Sequence, residues 1–293
     1  MASPTSASTS PRSRRSSSSS PDGSSVTDGT TLRALWGMVL RDLTVLRRNF
    51  LPLMVRTVMN PLLFVFVFTY VFPTIGTGVG VGRGGEGLGY ATVVVPGLVA
   101  VGMVFTAISA VALPLTMELG ATREIEDRVL APVALELVAL EKIVVAAVQG
   151  IVAGLVVFPL VYFIPATPVH VHVASWPLLI LVVLLASLAA GALGLVLGTS
   201  VRPQQIGLMF AVVVVPITFL GCVYYPWALL AAIPWLQHLV LINPLVYMSE
   251  GLRAALTPDL PHMPPGASLG ALVAQTVALG WLGVRGFVRR TLT

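Results

Sequence analysis

The sequence predicts an all-α polytopic membrane protein with six transmembrane helices, and three observations predict it. Hydrophobic residues make up 56% of the 293 residues, charged residues only 10%, and the mean hydropathy is +0.92. A soluble domain carries about a quarter of its residues charged. The chain also runs without Asp, Glu, Lys or Arg from Gly87 to Met117 and again from Ile143 to Val201. Between those runs lies an island, Glu118–Lys142, that holds six of the twelve acidic residues. Placing Arg123, Glu124, Glu126, Asp127 and Arg128 at mid-bilayer would cost more than ~12 kcal/mol, at roughly 2.5–3.5 each. The island therefore sits in water or against another protein, between two spans.

In chain order, residues 1–30 are low-complexity. Sixteen of the thirty are Ser or Thr, with Pro11, Pro21 and three arginines among them. Such a segment cannot bury a core and is expected to be a disordered cytoplasmic tail. Residues 31–49 differ. Leu32, Leu35, Trp36, Val39, Leu43, Leu46 and Phe50 recur at helical spacing, opposite Arg33, Arg41 and Arg48. That is an amphipathic helix suited to the interface of an anionic leaflet.

Residues 51–290 form the membrane domain. Hydropathy and length place spans at about Leu51–Phe72, Tyr90–Pro114, Val138–Ile164, Trp176–Thr199, Gln205–Tyr225 and Ala267–Val284. The stretch Pro226–Ser249 is also uncharged, yet Pro226, Pro234 and Asn243-Pro244 interrupt it. Charge argues against a seventh span. With six spans and the N-terminus inside, every basic residue except Arg83 and Arg253 faces the cytoplasm, whereas a seventh would export Arg285, Arg289 and Arg290. The expectation is an external re-entrant helical hairpin between spans five and six, covered by protein or water.

Within the island, Thr122 is a suitable N-cap, Glu124 and Glu126 favour the positive end, and Pro132 stops the helix near Leu130. Arg123 with Asp127, and Glu124 with Arg128, are i,i+4 pairs of opposite sign, while Ile125 and Val129 leave a small apolar stripe. Two turns are marginal alone, so such a helix lies against something. Two readings stand: an ordinary solvated loop, or a docking element for a soluble partner.

Much chemistry is excluded by residue type. Lone Cys222 forms no internal disulfide, and no Cys/His metal spacing occurs. Two GxGxxG matches, Gly80–Gly85 and Gly82–Gly87, fall in a glycine-rich loop with no strand before them. The only lysine, Lys142, follows Glu141, so the chain has no P-loop. Neither HExxH nor GxSxG is present. His170, His172, His238 and His262 are expected to project outward. The net charge of +5 follows the membrane rather than a nucleic-acid footprint, and no nucleic-acid partner is expected. Sixteen arginines against one lysine suggest a GC-rich bacterial genome.

With those residues in place, about Thr31–Arg290 resembles the permease subunits of the second type of ABC exporter, the drug-resistance, nodulation-factor and polysaccharide export permeases. The resemblance rests on REIEDRVLAPVALELVALEK and on GCVYYPWALLAAIPWLQHLVLINPLVYMSEGLR. The latter is similar to the family's "YYP…P…NP…E-G-R" stretch, here Tyr224, Tyr225, Pro226, Pro234, Asn243, Pro244, Glu250, Gly251 and Arg253. The resemblance implies a half-transporter in the bacterial plasma membrane, both termini cytoplasmic, paired with a second copy. Each copy would dock a cytosolic ATP-binding subunit that carries the ATP and Mg, so this chain binds no cofactor. The island, through Arg123, Glu124, Glu126, Asp127 and Arg128, would be the coupling helix. Tyr224, Tyr225, Trp227, Trp235 and Tyr247 are either an ordinary aromatic belt or the lining of an external substrate gate. The long Ser-rich N-terminus departs from the family pattern. A membrane anchor that recruits a non-ATPase partner through 118–142 is the competing reading, and an intramembrane enzyme lacks a nucleophile.

Overall fold

Long uncharged runs become long helices. A computed structural model describes residues 90–118, 134–164 and 169–291, together with 66–71 and a few isolated positions before them. Among the described residues, four helices are long and apolar enough to cross a membrane: α1 (Tyr90–Met117), α2 (Leu135–Phe163), α3 (Trp176–Ser200) and α7 (Pro265–Thr291). No strand occurs among the described residues. The predicted first span lies outside them apart from a few positions and the helical turn Phe66–Val71, and the amphipathic segment 31–49 is represented by helical Gly37, Leu40 and Thr44.

Helix α1 is the axis of the bundle: 72% of its most apolar window is buried, against 17% for α7 at the periphery. It packs on α2 and α3, and α7 lies along α3. Close approach depends on small residues. A Cβ at Gly194 would come within 2.9 Å of the Ile108 Cα, and one at Gly198 within 3.1 Å of the Ala112 Cα, so α1 and α3 meet almost backbone to backbone. Pro96 and Pro114 lie inside α1 rather than at its ends. Neighbouring helices make such prolines tolerable in apolar spans, and α1 therefore continues past the predicted stop at Pro114.

The predicted fifth span begins as expected and ends early. Its helix, α4 (Pro203–Phe219), is a composite, with a 3-10 turn at Pro203–Gln205 and a π-helical stretch at Phe210–Val214. It touches α1 through an edge-on Phe105–Phe210 pair with ring centroids 5.6 Å apart. Helicity stops at Phe219 rather than Tyr225 because the chain turns sharply through Gly221 and Cys222, the latter at φ 52°. After a 3-10 turn at Trp227–Ala232 come α5 (Pro234–Leu239), extended by a turn at Val240–Ile242, and α6 (Pro244–Leu256). The stretches Pro234–Ile242 and Pro244–Leu256 are bent by 99° at Asn243.

The bundle has two distinct ends. At one, the starts of α1, α3 and α7 meet α6: the His170 N–H donates to Thr92 Oγ1 (3.1 Å), and His172 and Ala174 donate to the Leu256 and Ala255 carbonyls. At the other, the Lys142 Nζ pairs with Glu118 (3.1 Å), and Arg290 reaches the last carbonyls of α3.

Candidate functional site

The turn after α4 and the α5–α6 hairpin close the Tyr90 end, and their construction begins with capping. The Asn243 Oδ1 accepts from the Leu245 N–H (2.9 Å), its Nδ2 donates to the Ile217 carbonyl (2.6 Å), and Pro244 occupies the first turn. One side chain thus starts α6 and ties it to α4.

Nearly two turns into α6, Glu250 and Arg253 lie three residues apart on one face, both fully buried and salt-bridged to each other. The Glu250 Oε1 also accepts from the Trp227 N–H (2.9 Å), and Oε2 from the Met263 N–H (2.8 Å). The Arg253 Nη2 donates to the Cys222 carbonyl (2.9 Å) and, more weakly, to the Val93 carbonyl of α1 (3.4 Å). This one pair pins the turn at Cys222, the turn at Trp227, the loop before α7 and α1 onto α6. The left-handed conformation of Cys222 is unfavourable for a residue with a Cβ, and it lies where the carbonyl meets the guanidinium. Ser249 adds a bond to the Gly221 carbonyl (2.6 Å).

The hairpin seats on α1 at Gly97. A Cβ there would collide with the Val223 backbone. Gly97→Leu is therefore expected to lift the turn off α1 and to destabilise the fold by about 1–3 kcal/mol, the usual cost of overpacking. Thermal unfolding in detergent measures it, and a wild-type midpoint would contradict the seat.

The five candidate gate aromatics divide in two. Tyr225 donates to the Phe219 carbonyl (3.3 Å), Trp227 Nε1 to the Gln237 carbonyl (3.2 Å), and Tyr247 to the Leu241 carbonyl (2.8 Å). Those polar atoms staple the hairpin. Tyr224 is half-buried beside Phe219, whereas Trp235 stands 69% exposed. All five thus gather at the Tyr90 end. Arg123, Glu124, Glu126, Asp127 and Arg128 lie outside the described residues, as does the expected helix around them. The structure gives their stems: α1 ends beside Glu118, and α2 starts at Leu135, three residues before the predicted Val138. Lys142 and Glu118 clamp the two.

Sequence reasoning counted Arg253 as an ordinary external charge; the structure buries it against Glu250. The signal was available. Opposite charges three apart on a helix, in a stretch otherwise uncharged from Pro203 to Pro258, favour mutual pairing over solvation. Of the histidines, His170, His172 and His238 are exposed, as expected, and His262 is half-buried. Among the described residues, no three His, Cys, Asp or Glu side chains gather as metal ligands. The arrangement offers a rigid lid on a helical bundle.

Residues 33–257 match the family described as ABC-2 type transporter. The chain belongs to that family. It is 30% identical over 196 residues, 66% of this chain and 73% of the relative, to the inner membrane transport permease YadH of Escherichia coli K12, and to the same permease of Shigella flexneri. The chain is accordingly a multi-pass membrane permease subunit of an ABC transporter. The match spans the lid and the connection between α1 and α2, and it stops before α7.

Proposed function

We propose that the permease is the membrane half of an ATP-driven exporter that moves an amphipathic, drug-like or lipid-linked substrate out of the cytoplasm or inner leaflet. Six spans, a pair of permease copies and two cytosolic ATP-binding subunits make up the working unit, and the connection at 119–133 is the docking element. The observation that supports this reading most directly is the polarity of the bundle. Lys142, Arg202, Arg285, Arg289 and Arg290 collect at the Ser200 end, and Arg123 and Arg128 belong to the connection leaving that end. At the opposite end, Arg253 is neutralised inside the protein by Glu250. The positive-inside rule assigns the Ser200 end to the cytoplasm, and with it the end of α7; six spans would put the N-terminus on the same side.

The clamp between Glu118 and Lys142 gives the docking element a mechanical output. A partner pressing on the connection pushes α1 and α2 together, and α1 carries the lid at Gly97 and Val93. The apolar faces of α2 and α4, with exposed Leu155, Phe163, Leu208 and Val212, suit a substrate with an apolar body.

Reconstitution in liposomes with a cognate ATP-binding subunit tests the proposal. Substrate-stimulated ATP hydrolysis and ATP-dependent outward movement are expected. A complex in which neither ATP nor the P-loop of the partner matters would replace it by the anchor reading.

A further inference from the structure

We propose that the turn joining α3 to α4, Arg202–Gln205, is a second contact for the ATP-binding subunit, which meets Arg202 with an acidic side chain. The inference rests on the docking at the Ser200 end proposed above, and it begins with area. A stable protein–protein interface buries about 800 Å² on each partner, from roughly 20–30 residues a side. The helix expected within the connection, Thr122–Leu130, has nine residues, so more of the Ser200 end has to take part. The turn lies beside it. Gly198 of α3 sits opposite Ala112 of α1, which carries the turn to the Met117 end of α1, and the turn packs on that helix. The connection leaves α1 from the same end. Met117, its last residue, is 64% exposed, and methionine and arginine are both enriched in interfaces.

The turn is rigid where it must bear load and bare where it would touch a partner. Pro203 fixes its own φ and holds Arg202 extended, at φ −83° and ψ 153°. The Gln205 N–H closes onto the Arg202 carbonyl (2.9 Å). From α7, the Arg290 Nη1 donates to the Thr199 (2.7 Å) and Val201 (2.8 Å) carbonyls, which satisfies the end of α3 up to the residue before Arg202. Against that backbone, the side chains of Arg202, Gln204 and Gln205 stand exposed. Lys142 is taken by Glu118 and Arg290 by α3, whereas Arg202 has no hydrogen-bond or ion-pair partner among the described residues. A lipid phosphate would suit the guanidinium alone. The two glutamines beside it bring amide acceptors as well as donors, and a phosphate, itself an acceptor, leaves the acceptors unpaired. A protein surface can satisfy both. The turn opens α4, which touches α1 through Phe105 and Phe210, so a partner resting on turn and connection acts on both helices from one end.

Photo-crosslinking in the full-length permease assembled with a cognate ATP-binding subunit tests the contact. Benzoylphenylalanine is placed singly at Gln204, at Glu126 in the connection and at exposed Trp235 on the opposite end. Cross-links to the ATP-binding subunit are expected from 204 and 126 and not from 235. A cross-link from 126 without one from 204 overturns the second contact and leaves docking at the connection standing. Cross-linking from 204 to phospholipid alone also overturns it, and assigns the turn to the membrane surface. Failure at both 204 and 126 overturns docking at this end altogether. Arg202→Glu supplies an independent reading, in neutral detergent where no lipid headgroup competes. Association with the ATP-binding subunit is expected to slow about ten-fold at low salt and to lose much of its salt dependence. Arg202→Lys is expected to retain both, and the unfolding midpoint is expected to stay at the wild-type value in each variant. An unchanged association rate in Arg202→Glu overturns the proposal.

Discussion

Arg253→Leu is expected to be among the most damaging single substitutions in the described part of the chain. It leaves the Glu250 carboxylate buried with only the Trp227 and Met263 N–H groups for company, and it frees the Cys222 carbonyl. Removing one partner of a buried pair costs about 3–5 kcal/mol, a large share of the 5–15 kcal/mol typical of a whole folded protein. The readouts are thermal unfolding in detergent and protease cleavage between 220 and 235, where the lid turns are held by this pair. Glu250→Gln/Arg253→Leu separates charge from shape. The amide oxygen can still accept from one of those N–H groups and no uncompensated charge remains, so partial recovery of the midpoint is expected. A wild-type midpoint in Arg253→Leu would mean that the pair is solvated and that the lid is held by other contacts.

The bundle was legible because an uncharged run has one use in a membrane protein. Predicted limits of Trp176–Thr199 for α3 agree with Trp176–Ser200 to within a residue, and α1 and α2 agree to within three. The prediction for α7 stopped at Val284, whereas the helix continues to Thr291 past three arginines. Hydropathy marks where lipid ends, and hydrogen bonding continues a helix into water. The lid was legible only as an interruption. Pro226, Pro234 and Asn243-Pro244 showed that no straight helix could run there, but periodicity does not reveal which backbone groups a buried charge will find. Glu250 reaches Trp227 and Met263, and Arg253 reaches Cys222 and Val93, across separations that leave no short-range trace. The same holds for Tyr225, Trp227 and Tyr247, whose aromatic character reads equally as belt, gate or staple until their hydrogen-bond partners are seen. The proposed docking residues, Arg123, Glu124, Glu126, Asp127 and Arg128, are a different case: they lie outside the described residues, and charge and spacing alone motivate them.

The second large effect concerns those residues. In Glu126→Arg/Asp127→Arg, co-purification of the ATP-binding subunit and substrate-stimulated ATP hydrolysis are expected to fall by orders of magnitude, while the permease itself folds and inserts normally. Both side chains belong to the island outside the spans, so insertion energy is unchanged. The stems α1 and α2 remain clamped by Lys142 and Glu118. Like charges brought together at an interface cost several kcal/mol, and each 1.4 kcal/mol is a factor of about ten in affinity. The substitution also reverses the favourable i,i+4 pairing of Arg123 with Asp127 within the element itself. Val129→Asp is a separate probe of the same surface, since it removes half of the Ile125/Val129 stripe without reversing any existing charge. Loss of docking in both, with an unaltered unfolding midpoint, locates coupling in this segment. Normal assembly and transport in the double variant would reduce it to a solvated loop, and the push on α1 would then have to come from elsewhere on the Ser200 end.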